Sequence, residues 1–268
     1  MLSLNKMPLF KGTIPQDSWA DIRSVGSKGL EHALKLLTTS SWGDPKVEEG
    51  LTTTTTKVEG SKMVALKAEL EIPYPIQSCI ACLYGNIDVD ESSPAEAREK
   101  YPFRKAHWSS KEDEAHSQKI HDYIDPKTYD SVEGGEPKYD LTALVHYVVA
   151  SPSSIVAPRE FITVRVCREV EKVDGRRRLC VANTSWQPAN LAEIIPEATK
   201  AEKWVRAIVH AQLFVFEETA PGSGKTKATF MVHTDPCGNV PAMIANKVII
   251  HQASTLTSIK TTLEKLLK

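Results

Sequence analysis

From residue 140 to the C-terminus the chain runs strand-length segment after strand-length segment, then changes period once, into a single long helical stripe. That order constrains the fold more than anything else in the sequence. Strands joined by tight turns must pair antiparallel. A sheet built that way has a face to bury, and the obvious cover is the helix that follows the last strand. The strand segments are 141–150, 159–173, 177–186, 205–219 and 226–234. Asp174-Gly175 is a hairpin turn signal, and 221–224 is a second turn. The closing helix spans 240–268. Its first turn holds Pro241, which that position tolerates, and at ~1.5 Å per residue it would extend roughly 40 Å.

The first half supplies the rest of the layer. Residues 17–38 place Trp19, Ile22, Leu30, Leu34 and Leu37 near a 3.6-residue period, which predicts a helix. Five consecutive threonines from Thr52 suit a pleated surface, so 51–60 is a predicted strand. Val64, Leu66, Ala68 and Leu70 alternate, so 62–72 is its hairpin partner. A short helix is expected over 76–84, after Pro73 and Pro75. Residues 85–137 are polar and irregular, an enlarged insertion with short helices expected at 93–100 and 111–120. The predicted class is α+β: a curved antiparallel sheet around a C-terminal helix, with an N-terminal helix. One domain is expected over 17–268, preceded by an extension at 1–16. Strand directions alternate, so the loop 151–158, the connection 187–203 and the start of the last helix share one end of the sheet. Long loops gather there, which makes it the expected entrance to any interior site.

Charge narrows the function. Lys plus Arg total 33 and Asp plus Glu 34, a net charge of -1. No global field draws such a chain to nucleic acid or to an anionic membrane. Cys79, Cys82, Cys167, Cys180 and Cys237 are odd in number and sparse, which argues against a disulfide framework. No apolar run approaches the ~20 residues that span a bilayer, and Met1 to Phe10 is too interrupted for a signal-peptide core. A soluble, cytoplasmic monomer without cofactor or metal is expected.

Several local signals are set aside. Gly222-Ser223-Gly224-Lys225-Thr226 resembles the end of a phosphate-binding loop, but Thr219 stands where the pattern needs glycine and a strand follows instead of a helix. Cys79-Ile80-Ala81-Cys82 is one CxxC pair without a second. His233, Asp235 and Cys237 alternate across a strand end with no evident fourth metal ligand. Arg176-Arg177-Arg178 is a basic run on a turn, away from the expected entrance.

The order of motifs in the second half resembles the START family, the StAR-related lipid-transfer domains. The resemblance rests on Pro158-Arg159-Glu160-Phe161 with Val164-Arg165 on the same strand, Val205-Arg206-Ala207, and Lys225-Thr226-Lys227. His233-Thr234-Asp235-Pro236-Cys237-Gly238-Asn239-Val240-Pro241 opens the last helix, with Asn246 further along it, and Trp42 follows the first helix. It covers residue 17 to the end, most specifically from residue 141. It implies a helix-grip fold, an antiparallel sheet of about nine strands with the C-terminal helix as a lid. It further implies one bound sterol, phospholipid or sphingolipid, transient membrane contact, and transfer between membranes without chemistry. The loop 151–158 would then be mobile and face the helical lid. A helix-grip enzyme of the cyclase or hydrolase kind, or a lipid sensor that recruits a partner protein, are the alternatives.

A lipid tunnel needs an apolar wall and a few polar groups that fix the headgroup. Arg165 lies among Ile162, Val164, Val166 and Cys167, too apolar a strand for full exposure. A buried guanidinium must meet a carboxylate, carbonyls, water, or a ligand phosphate or hydroxyl. In sterol-binding members an acid on the preceding strand pairs with this arginine. Counting back through the loop puts His146 at that position, a departure that leaves room for an anionic headgroup or for another acid such as Glu69. Thr163 and Cys167 share the face of Arg165 by alternation. Trp186 is expected at the entrance end, either capping the tunnel, resting on headgroups or simply packing. On the last helix Ile244, Val248, Gln252 and Leu256 lie near the stripe that would line the lid.

Overall fold

The computed structural model describes residues 14–84, 121–124, 140–149, 156–194 and 204–267. The first helix is α1, Ser18–Thr39. A β-meander follows: β1 Lys46–Glu48, β2 Leu51–Lys57 and β3 Val64–Ile72. Then come α2 Ile76–Tyr84, β4 His121–Ile124, β5 Asp140–Val149, β6 Arg159–Val173 and β7 Arg176–Ser185. A short α3, Leu191–Ile194, precedes β8 Val205–Arg206, β9 Ile208–Glu218 and β10 Thr226–Asp235. The chain closes with α4 Ala242–His251 and α5 Ser254–Leu266.

The described strands form one curved sheet in the order β1-β2-β3-β10-β9-β7-β6-β5-β4, with β8 beside β6. All pairings on that path are antiparallel; β8 alone runs parallel to its neighbour. The predicted hairpins hold. At the β6–β7 turn Asp174 and Gly175 both have positive φ, 53° and 75°, the backbone that matches the twist of a two-residue hairpin.

Both faces of the sheet are covered. On the concave side Val181, Phe214, Phe216, Phe230, Leu256, Ile259 and Leu263 form a core under α2, α4 and α5. On the convex side Val164, Val166, Leu213 and Met231 pack against Trp19, Ile22 and Ala33 of α1, and Ile14 is buried in the same layer. Alternation along β6 divides its residues between the two: Val164 and Val166 face α1, and Cys167 faces the C-terminal helices.

Four elements depart from the sequence reading. The closing helix is two helices. Gln252 and Ala253 tighten into i→i+3 bonds with Ile249 and Ile250, and the Ser254 hydroxyl donates to the His251 carbonyl at 2.8 Å. A side chain that competes for a helix carbonyl favours a bend. The predicted strand 205–219 is interrupted at Ala207, whose N–H donates to the Glu160 carbonyl and so holds β8 against β6. β1, and β4 inside the irregular stretch, were not expected. The helices expected at 93–100 and 111–120 lie outside the described residues.

Two glycines let α1 approach the sheet. A Cβ on Gly26 would sit 2.5 Å from Val166 Cγ1, and one on Gly29 2.4 Å from Thr184 Cγ2. In an exposed helix Gly→Ala stabilises by about 1 kcal/mol. Here overpacking against β-branched neighbours should reverse the sign, so Gly29→Ala is expected to destabilise by about 1–3 kcal/mol in urea denaturation. A stabilised variant would show that α1 does not sit this close.

Candidate functional site

The concave face is not packed solid. Between the sheet and α4 lies a cavity of about 470 Å³, within the ~300–1,000 Å³ of small-molecule sites. Its walls are mostly apolar, with Val181, Phe214, Val209, Ala245, Ile249 and Leu83 among them. It opens at the end of the sheet where the loops gather, since Val149, Val156, Ala157, Pro236 and Val240 also line it. Ile244 and Val248 line the cavity while each remains 46% exposed, so they form its rim.

Four strands set a polar row into this wall. Arg165 pairs in register with Asn183, and Asn183 with Gln212. Arg165 Nε donates to Asn183 Oδ1 at 2.9 Å, and Asn183 Nδ2 donates to Gln212 Oε1 at 2.9 Å. On β5, Tyr147 stacks on Phe161 with centroids 4.9 Å apart. Burial pushes the Tyr147 phenol up to about 12, against the opposing charge of Arg165, so it stays protonated and neutral.

A second arginine holds the rim. Arg159 Nε donates to the Pro236 carbonyl at 2.7 Å and Nη2 to Cys237 O at 3.2 Å, with a further bond to Ala157 O. It thereby ties the start of β6 to the turn that leads into α4. From α4, Asn246 Oδ1 accepts the Val64 N–H at 3.0 Å and anchors the lid to β3.

Of the residues singled out from sequence, Arg165, Ile244, Val248 and Gln252 line the cavity. Thr163 and Cys167 are buried on the same face of β6 but outside the lining, and Leu256 is fully buried in the core beneath α5. His146 and Trp186 are corrected. The residue opposite Arg165 on β5 is Ala143, whereas His146 lies opposite Ile162 and points to the convex side. Its Nε2 meets Glu160 Oε1 at 2.9 Å, both side chains fully buried. Trp186 packs in the convex core and donates from Nε1 to Asp21 Oδ2 of α1 at 2.7 Å, so it does not cap the cavity. Glu69 also sits on the convex side, bridged to Lys67 and Lys227. Sequence reasoning missed Asn183 and Gln212. The signal was present: each occupies an inward position next to apolar ones, Leu179 and Val181 before the first, Phe214 and Phe216 after the second. The loop 151–158 falls largely outside the described residues, as does 195–203. Cys79 and Cys82 are core residues, and burial pushes each thiol up to about 12.

Behind the cavity wall, Glu160 joins the β5–β6–β8 corner. Arg206 donates to its Oε2 from Nε at 2.9 Å and Nη2 at 2.7 Å. Burial alone would raise the Glu160 carboxyl, but the hydrogen bonds of His146 and Arg206 and the Arg206 charge outweigh it and hold it below the usual range. A carboxyl lowered by folding stabilises above its unfolded value of ~4.3 and loses that contribution as pH falls through the folded value. Glu160→Gln should therefore cost about 3–5 kcal/mol at pH 7, with the gap to wild type narrowing below about pH 4 in denaturant titrations. A pH-independent difference would contradict this.

A curved antiparallel sheet, a C-terminal helix pair gripped by it, and a mostly apolar hollow between them define a helix-grip protein. The sequence pattern of the START domain matches residues 104–265, more than half of the chain. The chain belongs to the START domain family. Solved structures share the fold. Human STARD10 superposes with a TM-score of 0.55 at 16% identity, covering 95% of this chain and 82% of that one. Human StAR-related lipid transfer protein 5 gives 0.58 at 12%, covering 93% and 99%. The lipid transfer and protein localization domain of human StarD13 gives 0.52 at 16%, covering 88% and 95%. No curated protein sequence matches the chain.

Proposed function

We propose that this protein binds one lipid in the cavity beneath α4 and carries it between membranes without covalent chemistry. The observation that carries the reading is the cavity itself: about 470 Å³, mostly apolar, with a polar row on one wall. Well-packed interiors leave few voids larger than a water molecule, so a hollow of this size in the middle of a domain is a feature to be filled. The fold shared with a human StAR-related lipid transfer protein supports the same reading. The polar groups of the lining favour binding over catalysis. Among the described residues they come from Arg, Asn, Gln, Thr and Tyr side chains, with no carboxylate, histidine or thiol to act as base or nucleophile.

The rim explains how loading would occur. Val149, Met243, Ile244, Val248 and Ile250 are exposed apolar residues around the mouth and on α4. No described helix is long and apolar enough to cross a membrane. A short apolar rim suits a brief touch on a bilayer surface rather than insertion.

Ala245 is 3% exposed and lines the cavity. Ala245→Phe should abolish co-purifying lipid, identified by solvent extraction and mass spectrometry, with the circular-dichroism spectrum unchanged. Ile244→Glu with Val248→Glu should retain bound lipid but slow vesicle-to-vesicle transfer by about tenfold, because charge at the rim costs the apolar contact. Full lipid loading in the cavity-filled variant would count against the proposal.

A further inference from the structure

Helix α1 covers only part of the convex face. It packs over β5, β6, β7 and β9. At Leu37, near its C-terminal end, that cover stops beside a second, smaller pocket of about 230 Å³. Strands in register build the pocket floor. Thr229 of β10 lies opposite Glu69 of β3 and Val215 of β9. Two residues toward the β9–β10 turn, Lys227 lies opposite Glu217, and Glu217 opposite Arg178 of β7. Leu37, Val215 and Thr229 are thus edged by charge. The lipid cavity is on the other side of the sheet, since Phe214 and Phe216, the neighbours of Val215, face the C-terminal helices.

The charges of the pocket do not balance. Among the described residues its lining holds the cations Lys67, Lys227 and Arg178 against the carboxylates Glu69 and Glu217, one positive charge in excess. Glu69 is shared between Lys67 at 3.4 Å and Lys227 at 3.2 Å. Burial would raise its carboxyl, but the hydrogen bond of Lys227 and the charge of Lys67 outweigh burial and hold it below the usual range. Glu217 Oε1 meets Arg176 Nη1 at 2.9 Å, whereas its Oε2 stands 3.7 Å from Arg178 Nε. The longer distance is a charge contact and not a hydrogen bond. Arg178 Nε is buried, and among the described residues no atom accepts from it. A buried N–H without an acceptor is costly, and more so on a charged group.

The missing acceptor has a definable chemistry. One excess positive charge matches a monoanion, while a dianion would be repelled by Glu69 and Glu217. The planar fork of a guanidinium matches the two oxygens of a carboxylate. At the ~30 Å³ that a water-sized group occupies in a liquid, about 230 Å³ holds about seven non-hydrogen groups. Leu37 and Val215 give a short hydrocarbon tail an apolar contact.

We propose that this pocket on the convex face is a second ligand site, which binds a short aliphatic monocarboxylate with its carboxylate on Arg178 and its tail against Leu37 and Val215. The inference is independent of the lipid reading, because the two sites share no lining residue.

The test is an NMR titration of isotope-labelled full-length protein with butyrate, which is within the size limit, and with butyramide, butylammonium and inorganic phosphate. Backbone amide shifts of Glu217 and Thr229 give the affinity, and the Arg178 Nε–H resonance reports the contact. Butyrate should bind at least about tenfold more tightly than its neutral amide, the scale of one charge-assisted contact, and should move the Arg178 resonance. Phosphate and butylammonium should bind more weakly than butyrate. Arg178→Gln should erase the preference for butyrate over butyramide. Glu217→Gln removes the carboxylate that competes for Arg178 and should tighten butyrate by about threefold, the scale of one surface charge pair; it serves if the arginine variant fails to fold. A capped glutamate dipeptide should bind no better than butyrate. Tighter binding of that dipeptide would move the site to an acidic segment of a protein partner and overturn the small-molecule assignment. No saturable shift, equal affinity for butyrate and butyramide, or tighter binding of phosphate would overturn the proposal. Weaker butyrate binding in Glu217→Gln would do the same, as would shifts confined to Ile249 and Gln252, which would put butyrate in the lipid cavity.

Discussion

Strand β6 is buried on both faces, and its alternation decides what each of its residues can do. Glu160, Ile162, Val164 and Val166 go to the α1 side; Phe161, Thr163, Arg165 and Cys167 go to the side of the cavity and the C-terminal helices. A shift of one residue would exchange the two sets. It would carry Glu160 into the apolar hollow and Arg165 under the helix. The register is held by pairing with β5 and β7 along most of the strand. It is held at the start by the Glu160–His146–Arg206 corner and by Arg159, which reaches across to the turn before α4. The site's charge therefore depends on an ion-pair corner on the opposite side of the same strand.

The alternation made much of this legible in the sequence. The inward Arg165, the antiparallel order, the Asp174-Gly175 turn and the clustering of loops at one end all follow from local pattern and turn chemistry. The failures share a cause: they needed register or competition between groups, which local pattern does not carry. His146 was placed by counting through a loop, and an odd error in such a count moves a side chain to the other face. Trp186 sits one position past Ser185, and its place was decided by Asp21 on α1, more than a hundred residues away. The break at Gln252–Ala253 came from a serine that takes a helix carbonyl, inside a stripe whose periodicity ran on unbroken. Asn183 and Gln212 were readable as polar residues at inward positions. Their meaning appears only once β6, β7 and β9 stand side by side.

The cavity's apolar wall by itself cannot make a selective carrier. Burying an acyl chain is worth roughly 0.8 kcal/mol per CH₂, and a bilayer offers the chain nearly the same. The apolar term cancels between the two, which permits both uptake and release. On the proposed lipid reading, what remains to discriminate one lipid from another is the headgroup and the polar side chains of the cavity wall. Among the described residues, Asn246 ties α4 to Val64 of β3, and Arg159 ties the start of β6 to Pro236 and Cys237 in the turn before α4.

The most direct examination of this account is photolabelling with a fatty acid that carries a diazirine along its chain, followed by peptide mapping of the adducts. The account predicts label on Phe214, Val181, Ala245 and Ile249, at one adduct per chain, competed away by unlabelled palmitate. Adducts confined to the convex side around α1, or spread over the surface without competition, would contradict it.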